Sequence, residues 1–214
     1  MIKLSLLICL IATNYLAESS KSPRIVTYGS IIKLLNQDYG YRLHSHDVKY
    51  GSGSGQQSTT GIELKEDVNS HWSIKSTEDK FVQRGEPVKC GDVIRLEHLT
   101  TKKNLHSHMF SSPLSGEQEI SCYGNSGEGD SGDNWQVVCG GESWNRDLPV
   151  RFKHKDTSAF LGMSGRTFGR PISGQMEVVG FSSAQHGTKW TTAEGLFISP
   201  NEEENLDQYV HTEL

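Results

Sequence analysis

The stretch Leu43-His44-Ser45-His46-Asp47-Val48-Lys49-Tyr50-Gly51-Ser52-Gly53-Ser54-Gly55-Gln56-Gln57 decides the fold, because the chain says something like it three times. The tetrad Leu43-His44-Ser45-His46 returns as Leu105-His106-Ser107-His108, and a degraded copy, Leu161-Gly162-Met163-Ser164, stands at the next expected place. An apolar-basic-apolar triplet sits 11 positions before each leucine: Ile32-Lys33-Leu34, Ile94-Arg95-Leu96 and Val150-Arg151-Phe152. After each leucine comes a glycine with glutamine close behind, at Gly55, Gly116 and Gly174, and each unit closes on a tryptophan, Trp72, Trp135 or Trp190. Landmarks kept in one order define an internal repeat with a unit of roughly 50 to 60 residues.

Within each unit, short apolar or alternating segments are parted by Gly, Ser and Asn/Asp turns, the pattern of strands. The expected strands are 30–35, 41–46, 60–64 and 72–75 in the first unit, and 93–98, 104–108, 118–123 and 135–139 in the second. The third gives 150–154, 159–163, 175–179 and 190–192. Helical periodicity is hardly visible. The chain is therefore expected to be all-β with pseudo-three-fold symmetry, and closing the strands on themselves removes exposed edges. A β-trefoil does this, with first and fourth strands as a barrel and second and third strands as three capping hairpins. A propeller is the alternative, but it needs at least about four blades. In the trefoil Leu43, Leu105 and Leu161 take equivalent inward positions, and the three tryptophans fill the barrel floor.

Residues 1–17 read as a signal peptide: Lys3 precedes an apolar run too short for a membrane span. The trefoil is expected over 27–198, with units at about 27–80, 86–142 and 147–198, followed by an acidic tail over 199–214. The tail ends His211-Thr212-Glu213-Leu214, one residue away from the His-Asp-Glu-Leu signal for retrieval to the endoplasmic reticulum. Together the two ends predict the lumen of that organelle, with no membrane span.

Net charge is −5, yet five of the 26 acidic side chains lie in that tail, leaving 21 against 21 basic ones elsewhere. A balanced body argues against nucleic acid as partner and against a growth-factor-like trefoil binding sulfated glycans. Cys9 leaves with the signal peptide, so Cys90, Cys122 and Cys139 remain in an oxidising compartment. Cys90 opens the second unit's first strand and Cys139 ends its fourth, antiparallel neighbours in a trefoil, so these two are expected to pair and Cys122 to stay free.

No catalytic constellation emerges, so the chain is read as a non-enzyme without cofactor. The glycine loop lacks the following helix and the Lys-Ser or Lys-Thr of a phosphate cradle. A His-x-His pair on one strand face is half of a metal site, but the third unit has none and no carboxylate or thiolate recurs with it, so no metal is expected. Binding tends to sit on exposed loops of a rigid scaffold. The candidate surface is accordingly the first hairpin, with His46, Tyr50, Gly51, Ser52, Gly53 and Gln56, extended to His108 of the second.

The tetrads, the Tyr50-to-Gln57 loop and Trp72 resemble the MIR repeat, and signal peptide, three units and retrieval-like tail together resemble the stromal cell-derived factor 2 family. The resemblance covers about residues 27–198 and is looser in the third unit, where Gly162 and Ser164 replace both histidines. It implies a β-trefoil without enzymatic activity in the endoplasmic reticulum lumen. It also implies work in folding quality control and the unfolded protein response, beside a J-domain co-chaperone, the lumenal Hsp70 and unfolded client proteins. The alternative is a trefoil lectin for mannose-type glycans.

Overall fold

The computed structural model describes residues 24–201; the signal peptide at 1–17 and the retrieval-like residues 211–214 lie outside the described residues. The strands are β1 (Ile31–Asn36), β2 (Arg42–Lys49), β3 (Gln57–Ile62), β4 (Trp72–Ser76), β5 (Val93–His98) and β6 (Asn104–Ser111). They continue as β7 (Gln118–Tyr123), β8 (Trp135–Cys139), β9 (Val150–His154), β10 (Phe160–Thr167), β11 (Met176–Phe181) and β12 (Trp190–Leu196). First and fourth strands of the units pair in a closed circuit, β1 to β4, β4 to β5, β5 to β8, β8 to β9, β9 to β12 and β12 back to β1. The hairpins β2–β3, β6–β7 and β10–β11 cap this barrel, and their inner strands β3, β7 and β11 pair with one another around the axis. This is the β-trefoil expected from the repeat.

The repeated residues become repeated contacts. Leu43, Leu105 and Leu161 are fully buried, as are the three repeat tryptophans. Each indole Nε1–H donates to the carbonyl of its unit's leucine at 2.9 Å: Trp72 to Leu43, Trp135 to Leu105, Trp190 to Leu161. The tryptophans are thus core, each with its polar tip satisfied, as a buried indole requires. Burying a leucine of this kind contributes roughly 2 kcal/mol from apolar area.

The hairpin strands extend further than the apolar pattern suggests. β2 continues past His46 to Lys49, through a register shift between Ser45 and Lys49, and β3 begins at Gln57. Gln57, Ser58, Thr59 and Thr60 are all buried although polar. Their partners lie within the fold: Gln57 Nε2 donates to Ser45 Oγ and Thr101 Oγ1, and Ser45 Oγ donates to the Ser58 carbonyl. A criterion built on apolar residues starts this strand too late. Cys90 and Cys139 form a disulfide with their Cα atoms 5.3 Å apart, and Cys122 is free, buried, and raised to about 11 by that burial.

Candidate functional site

The hairpin cap collects the histidines into hydrogen-bonded chains. In the first unit Asp67 Oδ2 accepts from His44 Nδ1 at 2.8 Å, His44 Nε2 meets His46 Nδ1 at 3.1 Å, and His46 Nε2 meets Ser58 Oγ at 3.1 Å. Asp67 is placed by the short 3-10 turn Val68–Ser70 that leads into β4, and Ser70 Oγ donates to it at 2.6 Å. Burial pushes the Asp67 carboxyl up, but the bonds from Ser70 and His44 outweigh it and hold it below the usual range. Burial lowers His46, and His44 beside it adds to that shift against the opposing pull of Asp67. These side chains satisfy one another and position the hairpin.

The second unit repeats the plan with a different ending. Asp133, the last residue of the turn Ser131–Asp133, takes His106 Nδ1 at 2.8 Å. A carboxylate only accepts, so the proton of His106 sits on Nδ1, and its buried Nε2 has no partner. His108 is half-exposed, with Nε2 3.9 Å from Asp130 Oδ2. His106, His108 and Asp130 each offer an atom within 4.8 Å of the others, the one such grouping among the described residues that could hold a cation. In the third unit, a Cβ at Gly162 would lie 2.9 Å from both the Phe181 ring and the Gly187 carbonyl oxygen. A histidine at this position would collide with both.

Two carboxylates on the inner strands pin two of the hairpins. Glu177 on β11 accepts from Leu114 N at 2.8 Å and Ser115 N at 3.2 Å through Oε1, and from Ser164 Oγ at 2.7 Å through Oε2. Glu119 on β7 accepts from Ser54 Oγ and, at 3.4 Å, from Ser54 N. Burial raises the Glu119 carboxyl, and the Ser54 bonds oppose that. Gly53 has φ +64°, and a Cβ there would stand 2.1 Å from Glu119 Oε2, so this turn requires glycine for space as well as conformation.

The structure divides the surface drawn from sequence. Gly51, Ser52 and Gly53 are exposed at the first hairpin, and His46 is half-buried beneath it. Tyr50 corrects the expectation of an exposed anchor: it is 8% exposed, and its hydroxyl donates to the carbonyls of Thr59 at 2.9 Å and Ile120 at 3.0 Å. The ring turns inward because the register shift before Lys49 rotates the following residue toward the axis. Gln56 faces the second unit, accepting from Ser121 Oγ, and His108 stands apart beside Asp130. Asp67, Asp133, Glu119 and Glu177 were not singled out by sequence. The carboxylates that follow Gly116 and Gly174 by three positions were the available signal.

The chain is similar to known proteins in sequence and fold. The MIR domain family matches residues 34–161. Bovine (Bos taurus) stromal cell-derived factor 2 is 50% identical over 198 residues, covering 92% of this chain and 93% of its own. The crystal structure of the SDF2-like protein from Arabidopsis thaliana superposes with a TM-score of 0.81 at 43% identity, covering 83% of this chain and 99% of that one. The Saccharomyces cerevisiae protein O-mannosyltransferase Pmt1-Pmt2 complex bound to the sugar donor matches 89% of this chain with 28% of its own, at a TM-score of 0.73 and 28% identity. A three-unit trefoil, its repeated Leu-His-Ser-His tetrads and co-extensive identity at this level place the chain in the stromal cell-derived factor 2 family of MIR-domain proteins.

Proposed function

We propose that the protein is a non-enzymatic interaction partner in the endoplasmic reticulum lumen, serving folding quality control with a J-domain co-chaperone, the lumenal Hsp70 and unfolded clients. The observation that carries this reading is 50% identity spanning 92% of this chain and 93% of bovine stromal cell-derived factor 2. Support comes from the cap, where Asp67, His44, His46, Glu119 and Glu177 are spent on bonds that hold the hairpins. The leader at 1–17 and the tail at 211–214 fit the same compartment, and no helix of the described residues is long and apolar enough to cross a membrane.

Glycan binding is the second reading, favoured by the likeness to a mannosyltransferase complex bound to its sugar donor. The three repeat tryptophans are unsuited to stack on sugars because they are fully buried; Tyr123 and Phe110, 39% and 46% exposed, would have to serve. Capture from endoplasmic reticulum lumen with the tagged protein, with and without mannose-type glycan as competitor, separates the readings. The interaction reading expects the J-domain co-chaperone in both samples. Its loss on adding glycan would favour the lectin.

A further inference from the structure

The three hairpins are pinned by a common device that is missing once. Each turn ends on a left-handed glycine, Gly55, Gly116 or Gly174, preceded by serine, and the residue three places after it is Ser58, Glu119 or Glu177. Glu119 reaches the first hairpin and Glu177 the second, so cyclic order assigns the third hairpin to Ser58. Ser58 is too short, and its hydroxyl is engaged with the Val48 carbonyl at 2.8 Å. The amides of Ile172 and Ser173 precede Gly174 as those of Leu114 and Ser115 precede Gly116, in a loop two residues longer, and find no acceptor among the described residues. A cleft of about 320 Å³ opens beside them, with Ser58 and Ile172 both on its wall, while Ser173 lies just outside it on the wall of a neighbouring cleft.

We propose that this cleft binds the carboxylate of an acidic peptide, seated where Glu177 sits under the second hairpin. The chain itself supplies the template, since Glu177 shows that the two successive amides before the left-handed glycine of the second hairpin donate to one carboxylate oxygen. The second oxygen of Glu177 takes Ser164 Oγ, and the residue equivalent to Ser164 in the first unit is His46, which abuts Ser58 at 3.1 Å. Arg170 and Lys49 also line the cleft and supply positive charge that attracts a carboxylate. Val48, Phe168 and Leu114 make the rest of the wall apolar, which suits a peptide with an aliphatic residue next to its acid better than a bare anion or an acidic sugar. The site stands apart from the co-chaperone reading and is tested on purified protein alone.

The test is nitrogen-15 NMR titration of the full-length protein with three short acetylated peptides: Leu-Glu-Leu amide, Leu-Gln-Leu amide, and Leu-Gln-Leu with a free C-terminus. The Ile172 and Ser173 amide resonances should shift and saturate with the first, and at least tenfold more weakly with the second. The third distinguishes a side-chain from a terminal carboxylate as the source. Ser58→Glu should shift the same two amides without peptide and abolish the titration, because it supplies the missing group from within. Arg170→Ala changes only an exposed side chain and should weaken binding at least threefold. Equal shifts with the glutamine amide, or unchanged binding in a folded Ser58→Glu or in Arg170→Ala, would overturn the proposal.

Discussion

Replacing His98 by asparagine should flatten the acid limb of stability. His98 Nδ1 accepts from Thr101, whose Oγ1 lies at 2.8 Å, and Nε2–H donates to the Asn69 carbonyl at 2.8 Å. Gln57 Nε2 donates to the same Thr101 hydroxyl, which turns its proton toward the ring, so the site accommodates only neutral imidazole. Burial accordingly lowers His98 from 6.5 to about 4. Between those values the unfolded chain binds a proton that the folded one refuses. Stability from this group is complete above about pH 6.5, falls as the pH drops, and levels off below about 4. A shift of that size corresponds to about 3 kcal/mol. The first unit shows the substitute already at work: Asn36 Oδ1 accepts from the amides of Asp38 and Tyr39, and Nδ2 donates to the Gly187 carbonyl at 2.6 Å. His98→Asn keeps donor and acceptor but loses the ring packed on Trp72, a cost of about 1 kcal/mol at pH 7. Urea unfolding from pH 7.5 to 3.5 reads the outcome, with the wild type losing about 3 kcal/mol more than the variant over that window. Parallel pH profiles would refute the neutral-histidine reasoning.

Two further outcomes rest on contacts in the fold and a third on the sequence of the tail. Tyr50→Phe leaves the Thr59 and Ile120 carbonyls without their donor and should cost about 1–3 kcal/mol in chemical denaturation; a neutral result would mean the hydroxyl is not needed there. Replacing Cys90 and Cys139 together by serine opens a link across 49 residues, which chain entropy values at about 4 kcal/mol; peptide mapping that pairs Cys122 instead would contradict the bridge. Deleting residues 211–214 should divert the protein to the medium, and unchanged retention would require a partner to hold it.

The architecture was readable because it is written three times. Leucine and triplet keep a spacing of 11 and the tryptophan follows the leucine by 29 or 30 residues, since each must reach one barrel position, and the indole bonds to Leu43, Leu105 and Leu161 are the physical form of that register. The cap was less legible. Asp67 and His44 are 23 residues apart, Glu177 and Leu114 are 63 apart, and only the closed fold makes them neighbours. Tyr50 is hard to place for a related reason: proximity to a glycine-rich turn suggests exposure, whereas a register shift that leaves no mark in composition precedes a ring that is buried. The buried run Gln57 to Thr60 shows the same limit, polar residues whose partners come from other segments.

The proposal that this trefoil works by binding a J-domain co-chaperone is decided by sedimentation velocity on the two purified proteins, with and without excess mannose-type glycan. A discrete complex at micromolar concentration that glycan leaves unchanged is the expected result. Two independently sedimenting species, together with saturable glycan binding by this chain, would contradict it.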